Sequence, residues 1–458
     1  MRRLIDKIKD IWRIEELRTR IKNTALFLLV YRLGTFVILP GIDSEELAGL
    51  QQQSSDSLLG LVNIFAGGAF ARGAILALGI MPYISASIFM QLVSLAIPAF
   101  ARMQKEGEEG RRKINQYTRI LTIAFTAVQA IGYLNNMITT PNNQSALLIF
   151  TNPDAMSQGW FMFTNVILLT AGTMFTMWLG ERITDKGLGN GISLIIMVGI
   201  IARLPTAFVF ELESTFNKRG PFIFLIEMFI WIAVILTVIL LTQGTRKIPV
   251  NYAKRVVGNR QYGGQRNYIP LKVLGAGVMP IIFAQAIMFL PASFMGLYKS
   301  GNVPAWLLNL ADTTSVTHNG IMVLLIVLFT YFYTAIIFNP MQIADDMKRN
   351  NGFIPGIKPG KKTSEFIDDV ISRITLPGAL FISAVAIMPA VAQGSILGVN
   401  PEFAQFFGGT SLLILVGVVL DTLQQIESFL LMRHYDGLMR SGRIKGRMGM
   451  YQQQQVGN

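Results

Sequence analysis

The chain contains no cysteine, which excludes disulfides and thiolate metal sites outright. Its two histidines, His318 and His434, stand far apart with no ligand cluster around them, a pattern that suits loop or interface roles rather than a zinc site. Charge is scarce: 15% of the 458 residues are Asp, Glu, Lys or Arg, where soluble domains carry about 25%. No nucleophile–base set stands out, and no cofactor is expected. The segment Gly356-Ile-Lys-Pro-Gly360-Lys-Lys-Thr363 superficially resembles a phosphate-binding loop, but its glycine spacing is wrong and its glycines and prolines suit a turn. The N-terminal MRRLIDKIKDIWRIEEL lacks the charged, apolar and small-residue order of a cleaved signal peptide and reads as a short amphipathic basic helix.

What the chain has in abundance is apolar sequence in long blocks: 52% of residues are hydrophobic and the mean hydropathy is +0.46. Ala74 to Phe100 runs without a charge, as do Ile120 to Ile138, Trp160 to Leu179, Val273 to Tyr298, Gly320 to Ala344 and Ile374 to Pro401. Each reaches the roughly 18 to 20 residues that cross a bilayer. Asn23 to Leu39, Pro221 to Gln243 and Phe403 to Ile426 add spans with one charge each (Arg32, Glu227 and Asp421), and Leu188 to Ala202 adds a short one. The expected fold class is therefore all-α integral membrane protein with about ten transmembrane helices.

The net charge of +13 is uneven. Segments 1–22, 102–119, 180–187, 244–272, 341–373 and 433–458 hold 34 of the 40 Lys and Arg residues, whereas Pro40 to Leu59 holds none. The positive-inside rule places these segments and both termini in the cytoplasm, as an even number of spans requires. Attraction to anionic lipid, about 1 kcal/mol per basic residue, explains the N-terminal charges well. It explains Gly244 to Lys272 less well. That segment carries seven basic residues, no acid, Tyr252, Tyr262 and Tyr268, and two β-prone arms around Ile248–Val257 and Gln265–Val273 separated by glycines. A protruding basic hairpin of this kind fits ribosomal RNA or an acidic protein surface.

Gly79-Ile80-Met81-Pro82-Tyr83-Ile84-Ser85-Ala86 is echoed by Gly277-Val278-Met279-Pro280-Ile281-Ile282-Phe283-Ala284, identical at five of eight positions. The copies lie in the second and seventh spans, an odd number of spans apart, so they run oppositely through the membrane. That predicts two pseudo-symmetric five-helix halves, an inverted repeat meeting near 210–220, around a central pore. Both prolines are expected to kink helices that line the path. Leu61 to Ile75 is apolar, Gly-punctuated and too short to cross; it suits a re-entrant plug and an interfacial loop equally. Arg32, Glu227, Asp421 and Glu427 show no evident partners, so no coupling-ion site emerges and a passive channel driven from outside is favoured over an ion-coupled carrier. The expected organisation is a cytosolic N-terminal segment (1–22), an N-terminal half (23–215) with plug 61–75, a C-terminal half (216–432) with cytosolic loops 244–272 and 341–373, and a basic tail (433–458).

Tyr31-Arg-Leu-Gly34, Gly79-Ile-Met-Pro-Tyr-Ile-Ser-Ala-Ser87, Glu106-Gly-Glu-Glu-Gly-Arg-Arg-Lys113, Gly180-Glu-Arg-Ile-Thr184 with Gly189-Asn-Gly-Ile-Ser193, Ile248-Pro-Val-Asn-Tyr-Ala-Lys-Arg255 and Gly408-Gly-Thr-Ser-Leu-Leu-Ile414 resemble the bacterial SecY family. The match runs in order from about residue 15 to 445. The resemblance implies the channel subunit of the Sec translocon, a clamshell with a lateral gate in the bacterial plasma membrane. It implies SecE and SecG as membrane partners, the SecA motor and the ribosome on the cytosolic face, and translocating polypeptides and signal peptides as cargo. Carried onto this chain, the pore ring falls on Ile80, Ile84, Ile192, Ile196, Ile282 and Ile414; Ile80/Ile84 and Ile192/Ile196 have the i,i+4 spacing of one helical face. The plug falls on Leu61, Asn63, Phe65, Gly67, Gly68 and Arg72, and the polar gate on Gln91 and Asn190. Docking of the motor or ribosome falls on Arg246, Lys247, Lys254, Arg255, Arg260 and Lys358. Lys358 stands where the family usually has arginine, and lysine loses the planar fork that makes bidentate contacts.

Overall fold

Lipid offers no hydrogen bonds, so a chain inside it must close its backbone polar groups on itself, which favours long helices. The computed structural model describes residues 12, 14–43, 58–139, 147, 157–252, 255–257, 260–262, 266–275, 277–295, 304–394 and 398–440. The N-terminal half comprises α1 (Glu15–Gly34), the short α2 (Leu58–Phe65), α3 (Met81–Ala96), α4 (Pro98–Lys105), α5 (Glu108–Thr139), α6 (Gln158–Lys186) and α7 (Gly191–Lys218). The C-terminal half begins with α8 (Pro221–Gln243). It continues through strands β1 (Thr245–Tyr252), β2 (Arg255–Val257), β3 (Arg260–Tyr262) and β4 (Arg266–Lys272), then α9 (Met279–Met295), α10 (Ala305–Ala311), α11 (Val316–Ile337) and α12 (Pro340–Arg349). Strand β5 (Gly352–Phe353), α13 (Lys361–Gln393), α14 (Pro401–Ala404) and α15 (Gly409–Arg440) complete it.

Among the described residues, α5, α6, α7, α8, α11 with α12, α13 and α15 are each long and apolar enough to cross a membrane. The three further spans are α1, whose first turns are charged, and the shorter α3 and α9. The fold is thus all-α with ten transmembrane helices in two five-helix halves. The short span expected over Leu188 to Ala202 continues through Arg203 and Pro205 to Lys218, past residue 215. The chain turns over at Gly220, whose φ of 90° lies in the left-handed region.

The repeated motif folds alike in both copies. Gly79 and Gly277 have φ of 54° and 62°, and each is followed two residues later by the first residue of α3 or α9. Only glycine takes that left-handed conformation without steric cost. Pro82 and Pro280 therefore sit in the first turns of their helices, where a missing N–H costs nothing, and start the helices rather than kinking them as the sequence suggests. The interior prolines are instead Pro205 of α7, Pro291 of α9, and Pro377 and Pro389 of α13. Nor is the uncharged block Ala74–Phe100 one helix. Residues 75–80 are turns, and the chain breaks again at Ile97, extended because Pro98 follows it.

On the face where the chain turns between α8 and α9, β1 pairs antiparallel with β4, with Ile248 opposite Ile269. Its end pairs with β5, placing Asn251 opposite Phe353. The order β4-β1-β5 joins two loops that are a hundred residues apart in sequence. Ile248, Val250, Leu271, Met347, Ile354 and Ile367 form the small core beneath them. Replacing Ile248 with alanine should cost about 2–5 kcal/mol locally. Hydrogen exchange should then accelerate in both β4 and β5 while the membrane helices stay protected; acceleration confined to β1 and β4 would show that β5 does not share this core.

Candidate functional site

The site is built where helices of both halves meet. Ile80 precedes α3, Ile84 lies on it, Ile192 and Ile196 lie on α7, Ile282 on α9 and Ile414 on α15. Ile80, Ile84, Ile196, Ile282 and Ile414 are 1–8% exposed and belong to a single buried cluster, against which the partly buried Ile192 packs. The structure thus brings all six together, from two helices of each half.

Val62, Ile64 and Phe65 of α2 belong to the same cluster. After Phe65 the chain makes no helix until Met81, and the turns are folded on themselves. The Gly68 N–H donates to the Asn63 carbonyl (2.8 Å), and the buried Asn63 side chain accepts from the Ala71 N–H (3.0 Å). Gly67 and Gly68 have φ of 64° and 89°. The Gly199 backbone of α7 lies so close that a Cβ there would stand 2.2 Å from the Phe65 carbonyl oxygen, so α7 needs glycine to seat this element. Leu61 lies on α2, though its side chain is outside the described residues. Residues 62–69 of this segment are buried.

Two charges that look partnerless in the sequence are paired. Arg32 Nη1 donates to the Gly67 carbonyl (2.8 Å) and its guanidinium lies 5.0 Å from the centre of the Phe36 ring. The fully buried Glu227 lies 3.7 Å from Arg219, which also donates to the Gly398 carbonyl. Beside them Glu211 accepts from the Thr215 hydroxyl (2.8 Å) and the Asn400 N–H (2.9 Å). This group ties the ends of α7 and α8 to the loop before α14. Sequence reasoning missed it because Glu211, Arg219 and Asn400 fall outside or at the edges of the apolar blocks. Asp421 and Glu427 are exposed on α15.

The SecY family profile matches residues 74–423. The protein translocase subunit SecY of Escherichia coli is 40% identical over 438 residues, covering 94% of this chain and 96% of its own length. The chain belongs to the SecY family. Among solved structures it is similar to a SecY protein whose plug domain is described as stabilising the closed channel and maintaining a membrane seal (TM-score 0.61, 16% identity, 90% of this chain and 92% of that one). It is also similar to the channel of the canine ribosome–channel complex from the endoplasmic reticulum (TM-score 0.56, 16% identity, the same coverages).

Within this SecY-family fold Gln91 and Asn190 have different surroundings. Gln91 of α3 accepts a short hydrogen bond from the Tyr333 hydroxyl of α11, a bond between the two halves. Asn190 instead caps α7, accepting from the N–H groups of Ile192 (3.1 Å) and Ser193 (3.4 Å). Tyr333 was missed because an apolar span with two tyrosines, Tyr331 and Tyr333, offers no sign of a partner so distant in sequence. Arg246 and Lys247 are exposed on β1, and Lys358 is exposed in the loop after β5. Arg255 and Arg260 lie on β2 and β3 with side chains outside the described residues, and Lys254 lies outside them altogether.

Polar bonds between membrane helices are worth about 0.6 kcal/mol on average, so Tyr333→Phe should shift the balance between joined and parted halves about threefold toward parted. A fluorescent pair across α3 and α11 measures this. The double variant with Gln91→Leu should add nothing further; fully additive effects would show the bond is not formed.

Proposed function

We propose that this SecY-family chain is the protein-conducting subunit of a bacterial translocon, passing unfolded secretory polypeptides across the plasma membrane and releasing membrane segments sideways into lipid. The observation that carries this reading is the buried cluster of Ile80, Ile84, Ile192, Ile196, Ile282 and Ile414, contributed by both halves and continuous with the apolar face of α2. A ring of branched aliphatic side chains excludes water and ions by dewetting, yet yields around a side chain of any shape, which a rigid polar filter could not do. Leu61, Asn63, Phe65, Gly67, Gly68 and Arg72 belong to the plug that backs this seal and moves aside for the polypeptide. The lateral exit lies between α3 and α11, closed by the Gln91–Tyr333 bond. A hydrophobic signal peptide that enters there replaces protein–protein packing with packing of its own.

The chain itself supplies no energy in this reading. The basic sheet and the loop carrying Lys358 dock the SecA motor or a translating ribosome, while SecE and SecG accompany the chain in the membrane. Anionic lipids hold the basic N-terminal segment at the cytoplasmic face, where both termini lie. The single planar contact expected of arginine at 358 is replaced by a point charge, so docking rests on the summed field of the face rather than on one fork.

Two experiments test this. A secretory chain stalled in transit should cross-link efficiently to cysteines placed at Ile84 and Ile282, which are unique because the chain has no cysteine of its own. Efficient cross-links elsewhere with none at these positions would sink the pore assignment. Replacing Lys254, Arg255 and Lys358 together by glutamate should weaken motor or ribosome binding by at least about 100-fold, since each reversal costs on the order of 1 kcal/mol or more at a charged face. Unchanged binding at physiological salt, with normal membrane insertion, would assign those charges to lipid.

A further inference from the structure

Three arginines close on the turn that follows α2. Arg32 of α1 bonds the Gly67 carbonyl (2.8 Å), and a Cβ on Gly67 would stand 2.8 Å from its Nη1. Arg203 of α7 passes alongside Gly68, where a Cβ would meet its Cδ at 3.4 Å. Arg72 itself lies 4.6 Å from the centre of the Phe36 ring, the same ring that Arg32 approaches at 5.0 Å. The negative charge placed against them among the described residues is Glu402, 3.5 Å from Arg203. Arg72 Nη1 is buried and has no hydrogen-bond partner. Burial and the fields of Arg32 and Arg203 all act to lower the pKa of Arg72, a sign that the three guanidiniums act on one another.

Three cations against one carboxylate in a half-buried space repel strongly, because little water screens them. An unmet guanidinium N–H there adds the cost of a lost charged hydrogen bond. We propose that this cluster binds a phosphate-class oxyanion, which bridges Arg72 to Arg32 and Arg203 and holds the plug in its seat. Guanidinium forks match the planar pairs of oxygens on phosphate, which accepts several charge-assisted bonds at once. The same chemistry is offered by free phosphate and by a phospholipid headgroup. Because Arg32 and Arg203 stand on helices and Arg72 on the plug, the anion binds the seated arrangement and not the displaced one. Its loss leaves three like charges that push the plug outward.

The inference rests on reading residues 61–75 as a plug. The test uses the full chain with its membrane partner subunits in nanodiscs of phosphatidylcholine, with hydrogen exchange read over residues 61–75. Inorganic phosphate at ten times its Kd should slow exchange there by about tenfold, since binding to the seated state alone stabilises it by RT ln(1 + [L]/Kd). Nanodiscs containing phosphatidylglycerol without added phosphate form the second arm: protection there identifies the headgroup as the source, and protection only with added phosphate identifies the free ion. Arg72→Gln should abolish the protection and Arg373→Gln, an exposed control, should keep it. If Arg72→Gln does not fold, Arg203→Gln carries the same test. No saturable protection in either arm, or equal protection in Arg72→Gln, would overturn the site. A stalled secretory chain separates the two readings. If its engagement leaves exchange at 61–75 unchanged, the plug reading fails; if it releases those amides but neither anion protects them, the anion site alone fails.

Discussion

Every non-helical residue within a membrane fold has to find its hydrogen bonds in protein. Residues 66–80 are the place where this constraint is met. The Leu39 N–H donates to the Gly73 carbonyl and the Ile75 N–H to the Val37 carbonyl, each at 2.8 Å, so the segment after α1 serves as a strand-like edge for residues 73–75. Asn63 satisfies Gly68 and Ala71, Tyr133 of α5 donates to the Phe70 carbonyl (2.6 Å), and Arg32 takes the Gly67 carbonyl. These bonds come from α1, the segment after it, α2 and α5, so residues 66–80 are held by many modest contacts.

The same economy appears in the repeated motif. A left-handed glycine followed by a helix that starts on Met-Pro lets the chain enter the bundle abruptly, with no capping side chain and without wasting an N–H. Used once in each half, it sets Ile80 and Ile84 near the start of α3 and Ile282 near the start of α9. These isoleucines thus stand at helix beginnings, where the backbone position is dictated by the turn before it.

Much of this was legible in the residues alone. The ten spans, the basic loops, the five-plus-five repeat and the hairpin of β1 and β4 follow from block length, charge and period. The errors share a cause. In a membrane chain apolar residues are favoured whether the backbone is helix or turn, so the contrast between apolar and polar that marks a helix end in water is missing. Ala74 to Ile80 therefore reads as helix and is not, and α7 runs on past Arg203, a mid-helix charge paired with Glu402. The pairings that join distant segments, β1 with β5, Gln91 with Tyr333 and Arg219 with Glu227, leave no local trace; they arise from topology, and a single sequence carries no covariation to expose them.

The basic sheet and the central cluster are also physically continuous. Lys272 at the end of β4 donates to the Gln424 side chain of α15 (3.2 Å), and the next residue along, Gln425, accepts from the Gly189 N–H in the turn between α6 and α7 (2.8 Å). A hairpin from the C-terminal half and a turn from the N-terminal half thus rest on adjacent residues of one helix. That helix carries Ile414, ten residues or about 15 Å away along a rigid rod. The sheet also leads along the chain into α9, which follows β4 and carries Ile282. The basic sheet is therefore tied to the central cluster twice, by the Lys272–Gln424 bond to α15 and by the chain that runs from β4 into α9.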